Sequence, residues 1–281
     1  MSISRRGAFK GALAAIALAA TAALSACAPA AETADPGALA TITAGKLTIG
    51  TGQPAYEPWV VGDAPESGEG FEAAVAYAVA EKLGFAKEDV IWVRTTFDEA
   101  IQPGPKNFDF NLQQYSITDE RKASIDFSSP YYSTTQAVIT VAGSKADGVT
   151  TVAGLKDLLI GAASGTTSFA AIEEVIQPTQ GAQAFNSNDD AKAALAAGQV
   201  DAIVVDLPTA LYLTAVEIDG GKIVGQLPGA TAGDSFGLVL EKDSKLTAAV
   251  SAAIDALRAD GTLAAIEAKW LADYAGAPVL K

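Results

Sequence analysis

Apolar positions along the chain recur at two different periods, and the switches between them divide it into alternating pieces. Lys46-Leu-Thr-Ile-Gly50 reads as a first strand. Phe71, Val75, Ala78, Val79 and Leu83 then share a helical face, and Gly84 supplies a stop. Val90–Val93 is a short β-rich run, and Phe108–Leu112 reads as another strand. Leu155–Leu159 reads as a short helix before a strand at Ile160–Ala163. Ala191, Ala194 and Leu195 lie on one helical face behind the cap candidates Asn188 and Asp189. Gly198 ends that helix, and Val200–Asp206 reads as a buried strand. Leu246, Val250, Ala253, Ile254 and Leu257 again recur at helical spacing, a pattern continued by Leu263, Ile266 and Trp270. This alternation predicts an α/β architecture with mostly parallel sheets, in which ligands sit outside the carboxyl ends of the strands.

The first residues follow another pattern. Arg5, Arg6 and Lys10 precede an apolar stretch from Gly11 to Leu24, and Leu24-Ser25-Ala26-Cys27 follows. That is the layout of a secretory signal peptide over residues 1–26. The stretch is too short and Ala-rich for a stable membrane span, which needs about 20 strongly apolar residues. Leu-Ser-Ala-Cys resembles a bacterial lipobox, which implies cleavage before Cys27 and lipidation of its thiol. Ser4-Arg5-Arg6 also resembles a twin-arginine signal, one residue out of register, so the export route stays open. Residues 27–41, the cysteine and a run of small residues with two prolines, read as a tether. About 240 residues remain, enough for one large or two small domains.

Composition narrows the function. Without residues 1–26 the chain keeps 16 basic residues against 33 acidic, a net charge of −17. Such a surface repels nucleic acid, whose binding needs Lys and Arg to displace phosphate counterions. It suits an anionic membrane surface no better, so membrane contact is expected through the lipid alone. The sequence has no histidine and one cysteine. Ser-His-Asp and Cys-His catalysis, zinc sites built on His or several Cys, and intramolecular disulfides are thereby excluded. Carboxylates, Lys or Tyr remain as possible catalytic groups. No cofactor and no metal are expected, and a monomer is.

Four segments sit at the carboxyl ends of the expected strands: Tyr56-Glu57-Pro58-Trp59, the polar run Gln113–Arg121, Ser164–Ser168, and Asp206. Their convergence is what marks them as a candidate site. Each has a plain structural alternative. Tyr56, Trp59 and Phe97 suit core or rim packing. Thr118, the Gly165-Thr166-Thr167 turn and Asp206 suit helix caps, although helix N-termini also attract anions.

Gly70-Phe71, Ser116-Ile-Thr118-x-x-Arg121, Asp126-Phe127-Ser-Ser-Pro-Tyr131-Tyr132, Gly165-Thr166-Thr167, Ala197-Gly198-Gln-Val-Asp201-Ala202 and Asp206 occur in this order. Together they resemble the polar-amino-acid substrate-binding proteins of bacterial ABC transporters, over nearly all the chain from Leu47 to Trp270. The resemblance implies two α/β lobes of the type II periplasmic-binding-protein kind, joined by two crossover strands with a ligand cleft between. It implies lobe 1 over 42–136 and 237–281 and lobe 2 over 137–236. It implies capture of a free amino acid outside the cytoplasm, delivery to the transmembrane permease of an ABC importer, and no catalysis.

The resemblance also implies roles. Arg121 matches the arginine that grips the ligand carboxylate, bidentately where geometry allows. Ser116 and Thr118 match a contact loop that also holds Gln113 and Gln114. Thr166, with Thr167 beside it, matches a second-lobe donor, and Asp206 the acceptor of the ammonium. Tyr56 and Phe97 match positions that sandwich the ligand side chain. Three departures stand out. Ala74 replaces a usual Asp, Gln102-Pro-Gly-Pro-Lys-Asn107 replaces a Leu-x-x-Gly-Lys pattern, and Gln53 stands where some cationic-amino-acid binders carry Asp. A neutral Gln53 disfavours a basic ligand, while Glu57 keeps one possible. The rival reading is an enzyme on the same scaffold, similar to cyclohexadienyl dehydratase, with Glu57 as its acid.

Overall fold

The computed structural model describes residues 39–228, 234–272 and 276–281. The expected signal peptide, Cys27 and most of the tether lie outside these residues. The described chain builds two five-stranded sheets joined by a two-stranded one.

The first sheet contains β1 (Leu47–Gly52), β2 (Val90–Thr95), β3 (Phe110–Leu112), β4 (Ile125–Phe127) and β12 (Val239–Glu241), in the order β2-β1-β3-β12-β4. The second contains β6 (Gln136–Val141), β7 (Ile160–Ala163), β8 (Gln183–Phe185), β9 (Ala202–Asp206) and β10 (Gly221–Gln226), in the order β10-β6-β9-β7-β8. Between them, β5 (Tyr132–Thr134) pairs antiparallel with β11 (Asp234–Phe236). These are the crossover strands.

The sheets are mixed, a correction to the expectation of mostly parallel ones. β1 runs parallel to β2 and β3, and β7 parallel to β8 and β9. β12 is antiparallel to β3 and β4, and β6 is antiparallel to β9 and β10. The cause is the crossing itself. β6 and β12 each enter their sheet directly from a crossover strand, so they run against the strands supplied by right-handed βαβ units.

Period-two alternation explains the second lobe's core. Along β9, Ile203 and Val205 face one apolar cluster while Ala202 and Val204 face another. Both faces are covered, so the strand reads as one apolar run instead of alternating. In the first lobe, α1 (Phe71–Lys82), α7 (Thr247–Ala259) and α8 (Thr262–Trp270) share a cluster with one face of the sheet. The expected continuous C-terminal helix is broken at Gly261, whose φ of +83° starts a new helix direction. The short helix expected at Leu155–Leu159 is instead a 3-10 turn over Val152–Leu155, started by Thr151 accepting from Gly154 N–H. Ser187, not Asn188 or Asp189, caps α5 (Asn188–Ala196) by accepting from Asp190 N–H at 3.1 Å. The C-terminal end, expected with the first lobe, lies against the second sheet. Leu280 N–H donates to Gln226 O at 2.9 Å, and its side chain joins that lobe's core.

An aromatic knot sits where the crossover strands leave the first lobe. Trp59, wholly buried, meets Phe71, Tyr132 and Phe236 edge-on with ring centres 5.8–5.9 Å away. Its indole N–H donates at 2.9 Å to the hydroxyl of Thr209, in α6 (Leu207–Tyr212) of the second lobe. Gly70 makes this possible: at φ +102° any Cβ there would lie 2.5 Å from Trp59 O. Trp59→Ala is expected to cost about 3–5 kcal/mol, the range for emptying a large aromatic site, by chemical denaturation. Trp59→Phe should cost less while leaving the Thr209 hydroxyl unpartnered.

Candidate functional site

The parallel strands of the two lobes end at the same place, on opposite walls of a cleft of about 810 Å3 that opens to solvent. The first lobe contributes Gln53, Pro54 and Tyr56 after β1, Thr96 and Phe97 after β2, and Gln113, Gln114 and Ser116 after β3. The second contributes Ser164 and Thr166–Ser168 after β7, Asn186–Asn188 after β8, and Asp206 at the end of β9.

Arg121 sits on a single helical turn, α3 (Asp119–Lys122). It donates through Nη1 to Ser116 O at 2.8 Å and through Nη2 to Gly165 O of the second lobe at 2.7 Å. Its guanidinium also lies 5.2 Å from the Phe97 ring centre. Burial lowers its pKa, while Asp234 and Asp206 act in the opposite direction. Two of its five N–H donors are used by these carbonyls, so the rest can serve an anion. Ser116 Oγ and Thr167 Oγ1 meet at 3.1 Å, a second contact between the walls.

Asp206 occupies the N-cap position of α6 yet makes no capping hydrogen bond. Its Oδ1 accepts instead from Gln136 Nε2 at 2.7 Å. The same Nε2 donates to Asp234, which also accepts from Thr167 Oγ1 at 2.7 Å. Gln136 Oε1 in turn accepts from Ser168 Oγ at 2.6 Å. Burial, then the negative Asp234 nearby, push the Asp206 carboxyl up to about 8, with Gln136 and Arg121 opposing. Burial and the adjacent Asp189 hold the Tyr56 phenol well above its ordinary pKa.

Behind the first wall lies Glu72, a buried carboxylate on α1. Its Oε1 accepts from Gln114 N–H at 2.8 Å and from the Tyr131 hydroxyl, and its Oε2 accepts from the Gln114 amide. Burial pushes this carboxyl up to about 7. Gln114 itself has φ +52°, a conformation that a non-glycine residue holds only when its surroundings fix it.

The cleft thus gathers Tyr56, Phe97, Gln113, Gln114, Ser116, Arg121, Thr166, Thr167 and Asp206. Thr118 stays out of it and caps α3, accepting from Arg121 N–H at 3.2 Å. Thr166 lines the cleft, but its hydroxyl donates to Ala163 O at 2.7 Å and accepts from Phe169 N–H at 3.1 Å. Glu57 accepts from Gly62 N–H at 3.3 Å and does not line the cleft. Sequence reasoning missed Thr96 and Asn186–Asn188, though the strand-end rule would reach them once β8 is recognised. Gln136 and Asp234 carry no local signal, since they reach the site only through the crossover strands.

The chain matches the bacterial extracellular solute-binding proteins, family 3, over residues 47–273, and it belongs to that family. It is 33% identical over 226 residues to the L-arginine-binding protein of Pseudomonas aeruginosa, covering 77% of this chain and 84% of that one. Among solved structures it is similar to an ancestral arginine-binding protein bound to glutamine, with TM-score 0.67 and 31% identity, over 81% of this chain and 98% of that one. It is also similar to an ancestral amino acid-binding protein described as a precursor of cyclohexadienyl dehydratase, with TM-score 0.66 and 29% identity, over 80% and 95%. The architecture is the two-lobed, type II periplasmic-binding-protein fold.

The raised carboxyls predict a pH effect. Ordinary carboxylates titrate near 4, so between about 4 and about 8 the folded chain binds more protons than the unfolded one. Stability therefore falls as pH rises through that window. Asp206→Asn should remove much of this fall, matching the parent only at pH ~3 and exceeding it by a margin that grows through the window, to more than about 1 kcal/mol at pH ~8. Thermal unfolding midpoints across the range check it. Parallel curves would mean an ordinary carboxyl at Asp206.

Proposed function

We propose that the chain captures a free α-amino acid between its lobes outside the cytoplasm and delivers it to the permease of an ABC importer. The observation that carries this reading is the pair Arg121 and Asp206, the two charged residues among those lining the cleft, one from each lobe. An α-amino acid is a carboxylate and an ammonium on one carbon, and these residues offer the matching opposite charges. Arg121 holds the carboxylate. Asp206 holds the ammonium, whose positive charge favours the ionised carboxylate that burial otherwise disfavours. A ligand touching both walls favours the closed arrangement, because only there are both charges met. The relatives named for amino-acid binding support the same reading. Binding alone is proposed, with no bond of the ligand broken, and the chain acts as a monomer.

Each charge in such a site is costly when its partner is missing. Arg121→Ala and Asp206→Ala are each expected to cost about 3–5 kcal/mol of affinity, more than a hundredfold at about 1.4 kcal/mol per decade. Calorimetry with the cognate amino acid decides it. Asp206→Ala binding within a few-fold of the parent would remove Asp206 from the site.

The anchoring part of the proposal rests on Leu24-Ser25-Ala26-Cys27. Among the described residues no helix is long and apolar enough to cross a membrane. A lipid on Cys27 would tether the chain at the outer face of the cytoplasmic membrane. In a bacterium with a lipoprotein pathway the parent should fractionate with membranes and Cys27→Ala should be released. Equal membrane retention of the variant would refute the anchor.

A further inference from the structure

Once a ligand's carboxylate and ammonium are met by Arg121 and Asp206, the rest of the cleft's polar lining is neutral. Gln53, Thr96, Gln113, Asn186 and Asn188 supply amides and a hydroxyl. Among the described residues the side-chain amides of Gln53, Asn186 and Asn188 have no hydrogen-bond partner. Tyr56 and Phe97 add aromatic surface for methylene groups.

Three acids approach this lining from behind, and all are already engaged: Asp234 accepts from the Gln136 amide and from Thr167 Oγ1. Asp189 pairs with Lys192 at 2.9 Å and lies beside the Tyr56 phenol. Glu72, 1% exposed, has one oxygen on Gln114 N–H and the Tyr131 hydroxyl and the other on the Gln114 amide. Gln114 lines the cleft, so it stands between the Glu72 carboxylate and any ligand.

We infer that, given amino-acid capture at this site, the ligand has a neutral carboxamide side chain, and that Gln114 sets this preference by covering Glu72. A carboxamide carries donors and an acceptor, which the amide-rich lining matches in both senses. A guanidinium or ammonium side chain finds no free carboxylate there, and a carboxylate side chain finds no free cation. The cleft opens at Gln53 and Asn186, both exposed, so water softens the discrimination against charge without removing it.

The test is calorimetry on the purified full chain with L-glutamine, L-asparagine, L-arginine, L-lysine, L-glutamate and L-leucine. One of the two carboxamides should bind at least tenfold tighter than each of the other four. Gln114→Ser uncovers Glu72 and should raise arginine affinity about tenfold. That gain should vanish in Gln114→Ser/Glu72→Gln, which removes the uncovered charge. Arginine, lysine, glutamate or leucine binding as tightly as the better carboxamide would overturn the ligand class while leaving amino-acid capture intact. A folded Gln114→Ser protein, judged by its unfolding midpoint, with unchanged arginine affinity would overturn the role of Gln114. Should that variant not fold, the panel on the parent chain still decides the ligand class. Binding of no amino acid at all would overturn both this inference and the capture on which it rests.

Discussion

Opposite charges enclosed between two walls are the constraint around which this molecule is organised. Arg121 and Asp206 come from different lobes and face the same small volume, and neither is cheap to hold there. Burial pushes the Asp206 carboxyl up to about 8 and pulls the Arg121 pKa down. Each is supported by polar partners that keep the unliganded form tolerable: Ser116 O and Gly165 O for the guanidinium, Gln136 for the carboxylate. The same partners leave capacity unused, because a guanidinium has more donors and a carboxylate more acceptor positions than these contacts fill. In the proposed reading, a zwitterion would complete both sets together. Recognition by this pair would then rest on electrostatics that neither wall satisfies alone.

The crossover strands carry this constraint from one lobe to the other. Gln136 begins the strand that follows the first crossover, and Asp234 begins the second crossover strand. Their hydrogen bonds reach Asp206, Thr167 and Ser168. On the first-lobe side, the Trp59 knot packs against Tyr132 and Phe236 of the crossover strands while its indole bonds Thr209. Apolar packing thus fixes where the crossing occurs. Polar bonding decides what lies beside the cleft.

Glu72 shows how one buried carboxyl shapes a loop at a distance from the chemistry. It holds Gln114 by backbone and side chain at once, in a left-handed conformation, and ties that loop to Tyr131 at the start of the crossover. An apolar residue at position 72 would suit the helix face equally well. The carboxylate is there for the loop, and the loop places Gln113, Gln114 and Ser116 along the cleft.

The alternation of periods was enough, from sequence, to place β1, β2, β3, β7 and β9 and the helices α1, α5 and α7. The rule that ligands lie at strand carboxyl ends then pointed to Arg121, Asp206 and the Gln113–Ser116 loop, which line the cleft, because both signals are local and repeat within a few residues. Fragments in order added the two lobes and the family. Pairing across long separations stayed out of reach. Mixed sheets arise from a chain that crosses twice, and no window of sequence records the direction in which β6 or β12 enters. The Asn186–Asn188 wall follows a strand too short to register as periodic. Thr118 and Arg121 lie three residues apart and look alike as candidates, yet packing turned one into a cap and the other into the cleft. Gln136 and Asp234, 98 positions apart, became neighbours of Asp206 only when the crossover strands paired, since a hydrogen bond between distant residues exists only once the fold has brought them together.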